Sequence, residues 1–135
     1  MANRIFEYPM TIKEHHLDTF GHVNNATYLE IYEEARWQFI TDNGYGLEKV
    51  KSSGFGPVIL DIHIRFMKEL KNREEIVIHS TTTDYESKVG TIKQWIIDSQ
   101  GNRCSEIEMS VGLFDTKNRK LVLPTEDWKR AVLGT

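Results

Sequence analysis

The residue types most able to do chemistry are gathered in one short stretch. Asp18 is followed by Thr19 and Phe20, then by Gly21, His22, Val23, Asn24 and Asn25. An aspartate is ionised at pH 7, with a usual pKa of ~3.9, so Asp18 can act as a base or a nucleophile. It can equally accept hydrogen bonds from the amides of its own turn. His22, four residues on, can move a proton, hydrogen-bond a carbonyl, or serve the loop alone. A strongly patterned helix follows at once. The first amides of a helix have no internal partner and carry partial positive charge, which suits them to polarising a carbonyl oxygen. Asn24 or Asn25 can cap that helix.

Other chemistries find less support. His15, His16, His63 and His79 form no helical i, i+4 pair, and His15 and His16, read as strand residues, point to opposite faces. No metal is expected. The single cysteine, Cys104, excludes an internal disulfide framework and agrees with a reducing compartment. A formal net charge of -3 argues against general affinity for nucleic acid. No apolar run approaches the roughly 18 residues of a membrane span, and the N-terminal residues lack a signal-peptide core, so a cytoplasmic protein is expected.

The elements that must position the loop are legible in outline. The 135 residues are 39% hydrophobic and 27% charged, as in one soluble domain over residues 1–135. Residues 5–15 read as a strand interrupted or bent at Pro9. Residues 26–42 read as a helix with Tyr28, Leu29, Ile31, Tyr32, Ala35, Phe39 and Ile40 in one broad arc. Arg36 projects into that arc, and Glu33 is spaced to pair with it. An arc this wide is most economically covered by a sheet. Gly44 suits a left-handed cap, and residues 49–57 read as a connector. The period then changes to two, with Ile62, Ile64 and Phe66 alternating with Asp61, His63 and Arg65 along a strand with one wet face. Three more strands follow, over residues 75–85, 89–99 and 104–115, and residues 124–133 hold a short helix. Short turns pair such strands antiparallel. The class is α+β, with about five antiparallel strands curling over one long helix.

The run from Asp18 to Asn25, with Tyr28, Leu29, Glu33, Glu34, Ala35 and Arg36, resembles the signature of the hotdog-fold acyl-CoA thioesterases, the 4-hydroxybenzoyl-CoA thioesterase-like family. Phe114 and Asp115 through Leu123 and Pro124 are similar to that family's last strand, turn and exit. The chain departs from many members after residue 67, where Lys68, Glu69, Leu70, Lys71, Asn72, Arg73 and Glu74 stand in place of a Pro and a Gly-Asp pair.

The resemblance implies hydrolysis of an acyl-CoA to a free acid and CoA. It implies that Asp18 is the catalytic carboxylate and that the Asn25 amide lies where the thioester oxygen would be, with His22 as an assistant. Gly21 and Tyr28 are expected beside the substrate and Lys88 near the CoA phosphates, with Arg65, Lys68 and Lys93 as further basic candidates. No cofactor is implied beyond the coenzyme A of the substrate. Two subunits pairing edge to edge, with the site between them, imply a homodimer or homotetramer. Two other readings stay open: a hotdog hydratase or dehydratase, and a non-catalytic acyl-CoA or acyl-carrier binding module. Spacing counts against the first, because its usual motif separates Asp and His by five with an Asn-Pro between.

Overall fold

The computed structural model describes residues 4–134. Strands β1 (Ile5–Thr11), β2 (Phe55–Phe66), β3 (Glu75–Glu86), β4 (Val89–Asp98), β5 (Arg103–Asp115) and β6 (Lys120–Val122) form one antiparallel sheet. Its order is β1-β3-β4-β5-β2, with the short β6 also paired to β5. The helices are α1 (Asn25–Asp42), α2 (Leu47–Ser53) and α3 (Glu126–Leu133). This is the hotdog fold, with six strands rather than about five.

Helix α1 buries Tyr28, Ile31, Tyr32, Ala35, Phe39 and Ile40 against the sheet. They pack with Ile76, Ile78, Ile92, Ile96, Met109 and Val111 of β3, β4 and β5. The spacing is that of an amphipathic helix lying on a sheet, and this contact is the main hydrophobic core. The chain leaves α1 through Gly44 at φ 92°, a conformation open to glycine at little steric cost. Leu29, placed in the apolar arc by its spacing, is instead exposed.

Three local expectations are corrected. β1 ends at Thr11, and Glu14–His16 form a 3₁₀ turn in which the His15 and His16 rings lie 4.0 Å apart. Pro9 does not interrupt β1, because β1 is an edge strand where a missing N–H need cost no ladder bond. Residues 49–57 are not a plain connector. Most of α2 lies there, closed by Gly54 at φ 79°, and Val50 packs over Gly56 of β2.

The second half of β2 differs from a strand with one wet face. Its other edge is open, and both faces are exposed from Leu60 to His63. Leu60, Ile62, Phe66 and Met67 are 44%, 41%, 51% and 47% exposed. A register shift between Ile59 and Asp61 leaves Leu60 outside the ladder to β5, as in a β-bulge.

Candidate active site

The loop before α1 is a tight, self-bonded turn. The Asp18 N–H donates to the His22 carbonyl at 2.9 Å, and Leu17 bridges Val23. Gly21 takes φ 81° at the turn's end. The Asp18 Oδ1 accepts from the Phe20 N–H at 2.8 Å and, at a longer 3.4 Å, from the His22 N–H. Asp18 therefore organises its turn. Its Oδ2 has no hydrogen-bond partner among the described residues.

The helix start follows from Asn24. Its side chain accepts from the Ala26 N–H at 2.9 Å, and its carbonyl accepts from Thr27 and Tyr28. These bonds satisfy the second, third and fourth amides of the helix. The first, the Asn25 N–H, has no acceptor among the described residues. It is the donor left over where the helix field is positive.

His22 is held from the opposite side. It bridges Lys71, and its Nε2 lies 3.0 Å from the Glu69 Oε2. The Val23 N–H donates to the Leu70 carbonyl at 3.1 Å. Leu70 is fully buried, which anchors this contact. The segment that departs from the family pattern is thus the one packed on the turn before α1, and Arg73 takes φ 64° within it.

A cleft of about 310 Å³ opens here, with His22, Asn25, Tyr28, Phe66, Met67 and Lys68 on its walls. The Tyr28 ring meets Phe66 edge-on at 5.0 Å, and burial pushes its hydroxyl pKa up to about 12. Tyr28 is thus a neutral wall at physiological pH. The Lys68 ammonium on the rim is tied to the Asp98 Oδ2 at 2.7 Å. That contact, and next the Asn102 amide, hold Asp98 well below the usual carboxylate range. Beside it, burial pushes the Cys104 thiol up to about 11, so Cys104 is an unreactive core residue.

The structure therefore brings His22, Asn25 and Tyr28 to one cleft, with Asp18 and Gly21 in the adjoining turn. Arg65 and Lys88 do not line this cleft within one chain. Arg65 follows Ile64 and precedes Phe66, so it points to the opposite face of β2 and lies 3.8 Å from Glu106. Lys88 sits in the exposed β3–β4 turn. Gly90 pairs with Val111, whereas Phe66 pairs with Ser105, which separates the two ends by about 20 Å along β5. Glu33 and Arg36 do not pair directly. The Arg36 guanidinium donates to the Gln94 Oε1 at 3.0 Å. Sequence reasoning missed Glu69, Phe66 and Met67 as cleft residues, because no local pattern joins a strand end to a turn some 45 residues earlier.

Comparison with known proteins agrees with this fold. The profile of the thioesterase-like superfamily matches residues 12–132. The chain is 27% identical over 110 residues to the long-chain acyl-CoA thioesterase FadM of Escherichia coli, covering 81% of this chain and 83% of that one. Among solved structures it superposes on the SAV2348 protein of Staphylococcus aureus, solved in complex with CoA, with a TM-score of 0.90. That match has 17% identity over 98% of this chain and 84% of the other. It also superposes on YbaW, a probable thioesterase from E. coli, with a TM-score of 0.82 and 22% identity over 94% and 98% of the two chains. The chain belongs to the thioesterase-like superfamily.

Proposed function

We propose that the protein hydrolyses acyl-CoA thioesters to a free acid and CoA. The observation that carries this reading is the unpartnered N–H of Asn25, a residue that lines a cleft with His22 next to the Asp18 turn. The thioester oxygen accepts from the Asn25 amide, which makes the carbonyl carbon more electrophilic. The Asp18 Oδ2 either takes a proton from an attacking water or attacks the carbon itself. The tetrahedral oxyanion then collapses, the C–S bond breaks, and the thiolate of CoA leaves and takes up a proton; where Asp18 itself attacks, water then cleaves the acyl-aspartyl anhydride, which frees the acid and restores the carboxylate. His22, oriented by Glu69, stands where it can hydrogen-bond the substrate or pass that proton. No cofactor is required. FadM, named as an acyl-CoA thioesterase, and the CoA-bound relative support CoA as the carrier.

The functional unit is a pair of chains joined along the open edge of β2. Exposed Leu60, Ile62, Phe66 and Met67 support it, since an open strand edge flanked by apolar side chains is a surface that proteins usually cover. Antiparallel pairing of two β2 strands would set the Phe66 end of one copy against the Pro57 end of the other. The partner's Lys88 end, beside Gly112 and Val58, would then approach the helix-start cleft and the CoA phosphates, whereas Arg65 stays on the opposite face of β2. The setting we propose is the cytoplasm.

The test is thiol release from short, long and aromatic acyl-CoAs, run beside Asp18→Asn and Asp18→Ala. Asparagine keeps the Oδ1 acceptor of the turn and removes the base. We expect kcat to fall at least ~10²-fold in Asp18→Asn with the melting temperature kept. Full activity in Asp18→Asn would leave Asp18 a turn residue only. Hydration of crotonyl-CoA without thiol release would replace the hydrolase reading with a hydratase one.

A further inference from the structure

A second cleft, of about 130 Å³, lies between the C-terminal half of α1 and the sheet. Its walls are apolar: Trp37, Phe39, Ile59, Val111 and Trp128 are among them. Two charged side chains also reach it, Glu33 and Arg36. Neither has been given a part in the chemistry above.

Arg36 is held in place from behind. Its Nη1 donates to the Gln94 Oε1 at 3.0 Å. Gln94 is almost fully buried, and its Nε2 donates to the Tyr32 carbonyl at 3.0 Å and to the Ser80 Oγ at 2.9 Å. Both ends of the glutamine amide are therefore committed, and its oxygen is aimed at the guanidinium. Among the described residues no carboxylate forms an ion pair with Arg36, and its other N–H groups have no acceptor. Arg36 is half-buried, so water can meet these donors in the open cleft, and an acyl chain that fills the cleft must replace that water. Burial lowers its pKa and the nearby Glu33 charge raises it, so the two charges sense each other without touching.

We propose that this cleft recognises a hydroxyl group carried on the acyl chain away from the thioester, which makes hydroxyacyl thioesters preferred substrates. A hydroxyl oxygen can accept from Arg36 while its hydrogen donates to Glu33. A methyl end displaces water from the half-buried Arg36 and supplies no acceptor in its place, while the exposed Glu33 keeps its own water. A carboxylate end meets Arg36 but is repelled by Glu33. The apolar walls take the methylene chain. The cleft lies at the Pro57 and Ile59 end of β2, the end that a second, antiparallel copy would set against the first copy's Phe66 and helix start. An acyl group that leaves the Asn25 amide of one copy therefore heads for the Arg36 cleft of the other. The inference rests on the acyl-CoA thioesterase reading for its link to turnover.

The experiment compares kcat/KM for hexanoyl-CoA and dodecanoyl-CoA, each with its ω-hydroxy and ω-carboxy counterparts, in the wild-type protein, Arg36→Met, Arg36→Lys and Glu33→Gln. The readout is the ratio of hydroxy to methyl substrate, not the absolute rate. We expect a ratio of about ten in the wild type at one of the two lengths, because a hydrogen bond to a charged group discriminates by about this much. It should fall to near one in Arg36→Met, recover in part in Arg36→Lys, and fall in Glu33→Gln. A wild-type ratio near one with thiol release intact, a ratio unmoved by Arg36→Met, or preference for the carboxylate overturns the proposal. If no acyl-CoA releases thiol, the enzymatic reading fails, and the cleft is judged by binding. Free ω-hydroxydodecanoic acid should then shift the Trp37 and Trp128 indole NMR signals at lower concentration than dodecanoic acid, in the wild type but not in Arg36→Met. Equal affinities overturn it.

Discussion

Lys68 and Asp98 meet at 2.7 Å, so the cationic group on the rim of the helix-start cleft already has a buried counter-charge. The folded state thereby depresses the Asp98 pKa, first through Lys68 and then through the Asn102 amide. A carboxylate with a lowered folded pKa adds stability that is fully present above its unfolded value of ~3.9 and is lost as pH falls through the folded value. The loss therefore begins near pH 4 and continues below it. Lys68, whose pKa is raised by the same contact, acts in the opposite window and loses its contribution above about pH 10. Asp98→Asn should lower stability at pH 7 and flatten the acid limb. Urea unfolding between pH 2 and 7 checks this; an acid limb of unchanged slope would remove Asp98 from it.

The Asn25 amide can be deleted with little other change. Proline lacks an N–H and is well tolerated at the first helical position. The preceding residue, Asn24, has φ -66° and ψ 145°, a conformation that a following proline favours. Asn25→Pro should therefore fold normally by circular dichroism while kcat falls by about 10²–10³. An unchanged kcat would move the oxyanion donor elsewhere.

Gly90 is a packing position rather than a turn. A Cβ there would stand 2.4 Å from the Tyr85 Cδ2, and the Tyr85 hydroxyl accepts from the Trp128 Nε1 at 2.9 Å. Gly90→Ala must push the Tyr85 ring and strain its link to α3. A loss of about 1–3 kcal/mol is expected in chemical denaturation. A neutral result would mean that the ring has room to shift.

Ile62 lies midway along the open part of β2. Ile62→Lys should convert a dimer to a monomer in sedimentation velocity runs, and thiol release should fall with it if the site is shared. An unchanged sedimentation coefficient would place the interface on another surface.

The sequence by itself determined the parts ruled by near neighbours. A cap at Asn24 or Asn25, the Gly44 stop and the apolar arc of α1 depend on side chains within a turn or two of each other, though only the structure chose Asn24 and left Leu29 exposed. The alternation along the strands likewise follows from the two-residue pleat. The thioesterase signature was legible for the same reason, being nearly contiguous from Asp18 to Arg36. Tertiary structure decided what spans the sheet. His22 meets Glu69 only because the end of β2 returns to the α1 turn, and Arg36 meets Gln94 across 58 residues of sequence. Spacing on α1 had suggested Glu33 as the partner of Arg36, yet Glu33 stays exposed while the half-buried guanidinium faces a core amide already fixed by Tyr32 and Ser80. Helix α2 was missed because its seven residues carry too short a pattern to read, and it is packing of Val50 on Gly56 that settles it.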